Sequence, residues 1–259
     1  MHELTIVKVG GKVVEEPDTL QRLLKDFAAI PSPKILVHGG GRSATAMATR
    51  LGIETKMVEG RRITDSAMLE VVTMVYGGLV NKNIVAGLQS HDQNAIGMTG
   101  ADMNIIRSKK RINSSIDYGF VGDIEAVNSQ ALCKLLNDDT IPVIAPLTHD
   151  GKGNLLNTNA DTIASSIAAA MADSYKVTLV FCFEKKGVLS DTNDENSVIP
   201  LITPNEYQIL KNKKIVVEGM IPKLDNGFDA LQKGVYQIRI TNTSGLSDSN
   251  NMGTILRLK

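Results

Sequence analysis

The chain has 259 residues, of which 42% are apolar and 22% charged, the composition of a globular protein with a sizeable core. Its 28 basic and 28 acidic residues balance, which argues against partners such as nucleic acid or an anionic membrane and favours a small-molecule ligand. No basic leader precedes the first apolar run, and no uninterrupted apolar stretch of about 18 residues occurs, so we expect a cytoplasmic protein. Cys133 and Cys182 lie in apolar runs without other residues at metal-ligand spacing, and we expect two buried thiols.

The first half of the chain alternates short apolar runs with segments of helical period. This alternation is typical of an α/β fold in which helices cover both faces of a mainly parallel sheet. Pro17 suits the first turn of a helix, Gly52 a helix C-terminus, and Thr64-Asp65 a helix N-cap. We predict strands at 4–9 and 35–38, and helices at 17–30, 42–51, 65–76 and 81–89.

The second half continues the alternation after a region of short strands. We predict strands with hairpins at 94–98, 103–107 and 118–124, a helix at 129–136, a strand at 141–145 and a buried helix at 159–171. A strand at 177–183, a helix after the capping box Thr203 to Glu206, a helix at 222–232 and strands at 235–241 and 254–258 complete the chain. We expect two lobes, 1–172 and 173–259, with their boundary near Ala172-Asp173.

Two glycine clusters follow the first two predicted strands. Gly10-Gly11 lies two residues after Lys8, and Gly39-Gly40-Gly41 opens a predicted helix. Glycine lets successive amide N–H groups approach one anion, and a helix N-terminus favours phosphate or carboxylate. The simpler alternative is that each cluster is only a tight turn between strand and helix. Neither cluster matches the P-loop or the dinucleotide-binding pattern.

Three further segments carry residues suited to phosphate and carboxylate chemistry: Gly60-Arg61-Arg62-Ile63-Thr64, Asn157-Thr158-Asn159-Ala160-Asp161 and Gly219-Met220-Ile221-Pro222-Lys223. The planar fork of Arg62 can bind both oxygens of a carboxylate, and lysines can neutralise phosphate charge. Each residue also has an ordinary alternative. Lys223 could be a solvated surface residue, Asp161 could cap its helix, and Arg62 could pair with Glu59.

With these five motifs in this order, the sequence resembles the amino acid kinase family from Leu4 to its C-terminus. Within that family it looks like the branch that phosphorylates N-acylglutamates in arginine biosynthesis. The resemblance implies a three-layer αβα fold, an N-terminal lobe that binds acylglutamate and forms a homodimer, and a C-terminal lobe that binds ATP with Mg²⁺. The implied reaction is phosphorylation of the γ-carboxylate of N-acetyl-L-glutamate, or of a larger acylglutamate such as N-succinyl-L-glutamate.

The resemblance also assigns roles to residues. Lys8 and Lys223 would be the two cations on the transferring phosphoryl group, and Asp161 would hold both. Arg62 and Asn157 would bind the amino-acid end of the substrate, and the amides of Gly10, Gly11, Gly39 and Gly40 would contact phosphate or the acyl carboxylate. Gly187, in a segment that departs from the family pattern, would lie near the nucleoside. The phosphates, rather than protein side chains, would hold the metal ion.

Other functions remain open from the sequence. The acceptor could be aspartate or carbamate, or the chain could be a ligand-sensing protein that keeps the fold without turnover. The acceptor carboxylate is already ionised at neutral pH, so the main interpretation needs no general base. Because no helix precedes the first strand near Leu4, we expect a homodimer that arginine does not inhibit.

Overall fold

The computed structural model describes residues 1–58, 61–112, 115–216, 220–246 and 253–259. The strands in these ranges are β1 (Glu3–Val9), β2 (Lys34–His38), β3 (Met57–Val58), β4 (Arg61–Arg62), β5 (Ala95–Met98), β6 (Ile106–Lys110), β7 (Gly122–Val127), β8 (Ile141–Ile144), β9 (Leu147–His149), β10 (Leu155–Asn157), β11 (Lys176–Phe183), β12 (Leu201–Ile202), β13 (Gln237–Asn242) and β14 (Thr254–Leu256).

The α-helices are α1 (Gly11–Glu15), α2 (Pro17–Ala28), α3 (Gly41–Arg50), α4 (Ser66–Val72), α5 (Asn81–Gln89), α6 (Ser129–Asn137), α7 (Ala160–Met171), α8 (Pro204–Asn212) and α9 (Ile221–Gln232). A π-helix at Thr73–Val80 joins α4 to α5, and short 3₁₀ turns lie at Asp102–Asn104 and Thr243–Gly245. Pro17 begins α2, Asp65 caps α4, and Thr203 with Glu206 forms the capping box of α8, as the sequence predicts.

The main sheet has eight strands in the order β12-β14-β13-β11-β1-β2-β8-β5. Its neighbouring strands pair in parallel except β13 with β14. The central strand β1 pairs with β2 on one side and with β11 on the other, so segments from both ends of the chain share one sheet. Parallel strands align their carboxyl ends, and these ends carry both glycine clusters to one edge of the sheet.

Helices cover both faces of this sheet, so the predicted three-layer αβα fold is confirmed. On one face α6, α7, α8 and α9 bury side chains such as Ile163, Tyr207 and Leu224 against the strands. On the other face α2, α3, α4 and α5 do the same with side chains such as Leu24 and Ile84. A second sheet, in the order β10-β9-β6-β7, and the hairpin of β3 and β4 lie outside the main sheet.

Three sequence predictions are wrong in detail. The strand predicted at 118–124 begins only at Gly122 and runs to Val127, as β7. The segment predicted as a strand from Met103 is a turn, and β6 begins only at Ile106. The carboxylate of Asp102 accepts hydrogen bonds from the backbone N–H and hydroxyl of Thr99, which favours a turn over a strand. Cys182 is buried as expected, but Cys133 is only half-buried.

The helical run from Ser66 to Gln89 is long and apolar enough to cross a membrane by length and composition. In the fold it packs against the main sheet, and Val72, Val75 and Leu88 on it are buried in the core. Glu70 and Lys82 also interrupt its apolar surface. The packing explains the apolar residues on the buried face of this run, whereas Met74 and Leu79 on it are exposed.

Candidate active site

A cluster of three charged side chains lies at the carboxyl end of the main sheet. Lys8 comes from β1, Asp161 from the first turn of α7 and Lys223 from the first turn of α9. Lys8 Nζ lies 2.7 Å from Asp161 Oδ1, and Lys223 Nζ donates to Asp161 Oδ2 at 3.2 Å. The three residues, widely separated in sequence, therefore meet as the resemblance predicts.

The carboxylate of Asp161 stays ionised despite its burial. Burial alone would raise the pKa of Asp161, but the charges of Lys8 and then Lys223 outweigh it and hold that pKa below its usual value. Two cations share one anion, so the cluster carries a net positive charge. Such a buried cation pair is suited to a ligand that brings several negative charges.

The N-cap of α7 is Asn159 and not Asp161. The side-chain oxygen of Asn159 accepts hydrogen bonds from the backbone N–H groups of Asp161 and Thr162. These bonds cap the helix without the side chain of Asp161, whose carboxylate contacts the two lysines instead. The structure therefore does not show Asp161 as the cap of its helix. Asparagine is among the preferred N-cap residues, so this role of Asn159 was readable from the sequence.

The two glycine clusters come together as facing loops. A Cβ atom on Gly11 would lie 3.3 Å from the amide nitrogen of Gly41 and 3.4 Å from that of Gly40. A Cβ on Gly40 would lie 2.9 Å from the ring of Tyr76. Only glycine fits at both positions without a shift of the neighbouring atoms, and the space in front of these amides stays open.

The amides of the two clusters are not equivalent. The N–H of Gly10 donates to the carbonyl of Cys182 at 3.1 Å, and the N–H of Gly39 donates to the carbonyl of Val9 at 3.0 Å. These two bonds extend the strand pairing, so the expectation that all four amides face a ligand needs correction for Gly10 and Gly39. In the described part of the chain, the N–H groups of Gly11 and Gly40 have no such acceptor.

Glu15 and His38 hold the glycine loops from behind. A carboxylate oxygen of Glu15, at the end of α1, accepts from the backbone N–H of Ser43 in the first turn of α3 at 2.7 Å. His38 Nδ1 lies 2.7 Å from the carbonyl of Gly39, and its Nε2 lies 3.1 Å from the side-chain amide of Asn81. Because Asn81 can only donate there, Nε2 is the acceptor and Nδ1 carries the proton. Burial lowers the pKa of His38 to about 4, so the ring is neutral at pH 7.

Arg62 and Asn157 lie on the other side of the glycine loops. Arg62 donates to the carbonyl of Gly41 at 2.8 Å and to the hydroxyl of Thr45 at 2.9 Å. Asn157 donates to the hydroxyl of Thr64 at 3.0 Å. Within the described ranges Arg62 has no acidic partner, and Glu59, its possible partner by sequence, lies outside them.

Two neighbouring clefts meet at Lys8, Gly11, Gly41 and Arg62. The first, of about 250 Å³, is also lined by Gly39, Gly40, Asn157 and Asp161. The second, of about 840 Å³, is also lined by Gly10, Phe183, Glu184 and Lys223. Nearly all of the residues that the sequence singles out therefore line one or both clefts.

The remaining predicted residues lie elsewhere. Gly187 is buried in the loop after β11, where a Cβ would lie 2.7 Å from the hydroxyl of Thr254, and it lines neither cleft. Its contact with a nucleotide stays a prediction. Gly60 and Gly219, which belong to two of the motifs, lie outside the described residues.

Sequence reasoning missed Glu15, Tyr76 and Arg111, although Tyr76 and Arg111 line the first cleft. Glu15 acts on α3 across 28 positions of sequence, and Arg111 pairs with Asp123 in the neighbouring strand. Both contacts depend on tertiary pairing and leave no local pattern in the sequence.

Comparison with known proteins places this geometry in a family. A sequence profile described as the amino acid kinase family matches residues 3–242. Acetylglutamate kinase of Phocaeicola vulgatus is 61% identical over 255 residues, which cover 98% of both chains.

Two solved structures share the fold. N-acetylglutamate synthase from Neisseria gonorrhoeae, complexed with coenzyme A and N-acetyl-glutamate, superposes with a TM-score of 0.84 at 19% identity, covering 99% of this chain and 59% of that one. Carbamate kinase from Giardia lamblia, bound to AMP-PNP, gives a TM-score of 0.72 at 11% identity over 100% of this chain and 99% of that one. The chain belongs to the amino acid kinase family.

Proposed function

We propose that this protein is an acetylglutamate kinase. It transfers the γ-phosphoryl group of ATP to the γ-carboxylate of N-acetyl-L-glutamate, in arginine biosynthesis. The 61% identity to acetylglutamate kinase of Phocaeicola vulgatus, over nearly the full length of both chains, supports this function. The structural observation that carries it is the contact of Lys8 and Lys223 with one buried carboxylate where two clefts meet.

The proposed reaction moves no proton. An oxygen of the acceptor carboxylate forms a bond to the γ-phosphorus, and the bond from that phosphorus to the β,γ-bridging oxygen breaks. The products are N-acetyl-L-glutamyl 5-phosphate and ADP, and the electron pair of the broken bond leaves on ADP. Catalysis then depends on positioning and on charge stabilisation.

Lys8 and Lys223 would supply that stabilisation. Their ammonium groups converge on Asp161 from two elements, so both are already oriented before a nucleotide binds. We assign them to the equatorial and bridging oxygens of the transferring group, where negative charge is redistributed in the transition state. Asp161 acts as the positioning residue that keeps both lysines in place, and the N–H groups of Gly11 and Gly40 add donors nearby.

Mg²⁺ would be carried by the nucleotide. Among the described residues, no group of three or more His, Cys, Asp or Glu side chains could hold a metal ion, and Asp161 is already engaged by two lysines. This donor set fits a metal held mainly by the β- and γ-phosphates, which neutralises part of their charge.

The two clefts suggest how the substrates divide the site. The described lining of the first cleft lies between Lys8 and Thr162, whereas the second, which is also lined by residues between Lys8 and Arg62, adds Phe183, Glu184, Met220 and Lys223. We assign the first cleft to the acylglutamate, with Arg62 and Asn157 on its α-carboxylate end, and the second to ATP. This division supports lobes at 1–172 and 173–259 that contribute the acceptor and nucleotide sites.

A hydroxylamine trapping assay tests this proposal. Acyl phosphates react with hydroxylamine to give a hydroxamate, so the assay measures product directly with ATP, Mg²⁺ and one acceptor at a time. We expect hydroxamate from N-acetyl-L-glutamate and little from glutamate, aspartate or carbamate. A stronger signal from N-succinyl-L-glutamate would assign the larger acyl group, and no signal from either acylglutamate would contradict the proposal.

We further propose a cytoplasmic homodimer. Met74, Leu79 and Ile96 are apolar and at least 40% exposed, and contact with a second copy would remove such surface from water. Sedimentation equilibrium of the purified protein tests the assembly. A mass of one chain, or of six, would contradict the homodimer.

A further inference from the structure

A polar cavity of about 330 Å³ lies at the amino ends of three neighbouring strands of the main sheet. Thr5 of β1 pairs in register with Thr178 of β11, which in turn pairs with Gln237 of β13. Residues paired in this way point to the same face of a sheet, so the three side chains form a row. Arg239, two positions after Gln237 on β13, extends the row on that face.

This cavity is separate from the proposed active site. Thr5 precedes Lys8 by three positions, which corresponds to roughly 10 Å along an extended strand. Side chains alternate between faces, so Thr5 faces α2 and Lys8 the opposite layer of helices. None of the residues that line the polar cavity lines either cleft of the active site.

Arg239 has no acidic partner among the described residues. Its guanidinium donates to the carbonyl of Leu246 at 3.3 Å, while its Nε atom is buried and has no hydrogen-bond partner in the described ranges. Burial lowers the pKa of Arg239, as expected for a cation that loses water. In the described part of the chain no acidic side chain lines the cavity. Burying an unpaired polar group in this way is costly.

The groups around Arg239 are also suited to an anion. In the described ranges, no hydrogen bond engages the side chains of Thr5, Thr178 or Gln237. Lys34, the partner of Thr5 in β2, is a buried cation outside the lining of the cavity, and its Nζ donates to three carbonyls at the end of α2, from Phe27, Ala28 and Ile30. The cavity therefore combines a guanidinium that has no acidic partner in the described part of the chain, two hydroxyls and an amide.

We propose that this cavity is a second binding site, for the phosphate or carboxylate group of a small metabolite. Arg239 forms the charged contact, because a guanidinium can bind two oxygens of one anion, and the hydroxyls of Thr5 and Thr178 supply further donors. The volume is at the lower end of the range for small-molecule sites, roughly 300–1,000 Å³, and leaves room for more than the anionic group alone.

Thermal unfolding in rising inorganic phosphate tests the site, with chloride as the other anion and ionic strength kept constant. Wild type, Arg239→Gln, Thr178→Val and Arg22→Gln are compared. Arg22 is exposed on α2, so Arg22→Gln is a matched control for the loss of one arginine charge. Phosphate binding at the active-site lysines contributes equally to all four proteins and cancels in the comparison.

We expect a saturable rise of the unfolding temperature in wild type and in Arg22→Gln. Arg239→Gln should need at least about tenfold more phosphate for the same rise, since it loses a charged hydrogen bond, and Thr178→Val should need several times more.

A repeat with malonate identifies the preferred group. A response to malonate that Arg239→Gln loses indicates a carboxylate ligand, and a response to phosphate alone indicates a phosphate ligand. Identical titrations of Arg239→Gln and wild type would overturn the proposal. If Arg239→Gln does not fold, Thr178→Val decides, and a wild-type titration from it would overturn the proposal equally.

Discussion

The two sides of the proposed active site hold their polar side chains in different ways. On one side, Lys8 and Lys223 contact the charged carboxylate of Asp161 at 2.7 and 3.2 Å. On the other side, Arg62 donates to a carbonyl and a hydroxyl, and Asn157 to a hydroxyl, all of them neutral acceptors. The first arrangement fixes the position of charge, and the second fixes the position of a hydrogen-bonding fork that has no acidic partner among the described residues.

This difference suggests a division of labour. A cation held on a buried anion is oriented before substrate arrives and responds most strongly to charge that is redistributed in the transition state. A guanidinium held by neutral groups keeps its charge for a carboxylate in the bound substrate. Changes in the charged cluster should therefore lower turnover, and changes at Arg62 should weaken substrate binding.

The largest effect is expected from Lys8→Met. The variant keeps an unbranched side chain that is one atom shorter but removes one of the two cations, so kcat should fall by about 10²–10³-fold, the usual cost of losing one transition-state donor. The dissociation constant of a non-hydrolysable ATP analogue should change much less. The measurement is kcat in the hydroxamate assay beside equilibrium titration of the analogue.

Lys8→Arg and Lys25→Met sharpen this test. The bulkier guanidinium of Lys8→Arg keeps the charge but misplaces it, so it should also lower turnover more than nucleotide binding. Lys25 is exposed on α2, and Lys25→Met should behave like wild type. Equal losses in turnover and in analogue binding for Lys8→Met would contradict the view that the charged cluster acts on turnover and the Arg62 side on substrate binding.

A smaller effect is expected from Arg62→Lys. Lysine keeps the charge, but its single nitrogen cannot replace the planar fork that donates to Gly41 and Thr45 and can bind both oxygens of a carboxylate, so the KM for N-acetyl-L-glutamate should rise by about 10–100-fold. The value of kcat at saturating acceptor should change less than tenfold. Arg50, exposed at the end of α3, offers the control variant Arg50→Lys. A fall in kcat with unchanged KM would place Arg62 with the charged cluster instead.

The sequence predicted the layers of the fold well because its signals are local. Proline at the start of α2, the N-cap of α4 and the capping box of α8 mark helix starts within a few residues. The prediction failed at Met103, where the carboxylate of the preceding Asp102 accepts a hydrogen bond from the backbone N–H of Thr99 at 2.6 Å and outweighs the apolar pattern. Such local side-chain bonds compete with strand formation and are hard to weigh from sequence alone.

The sequence indicated which residues form the proposed site, but it indicated fewer of the contacts that these residues make. The motif order brought Lys8, Asp161 and Lys223 into one hypothesis, and the structure brings them into contact. Which glycine amides stay open could not be predicted, because the partner of Gly10 is Cys182, far along the chain. The row of Thr5, Thr178 and Gln237 likewise exists only through strand register.

The smallest effect is expected from His38, whose neutral ring donates to the carbonyl of Gly39 in the glycine loop between the two sides of the site. Its pKa in the fold is about 4, against 6.5 for an exposed histidine. Below pH 6.5 the imidazole of His38 is protonated in the unfolded chain, whereas in the folded protein it is protonated only near pH 4. The stability that this residue contributes is therefore complete above pH 6.5 and is lost as the pH falls.

We therefore expect the free energy of unfolding of wild type to fall, relative to His38→Gln, by about 2 kcal/mol between pH 7.5 and pH 5. Glutamine keeps a polar side chain without a titrating group, and the carboxylates of both proteins contribute equally to the remaining slope. Urea unfolding at several pH values between 7.5 and 5 measures the difference. Parallel curves for the two proteins would mean that His38 is protonated as readily in the fold as outside it, and that a charged ring holds Gly39.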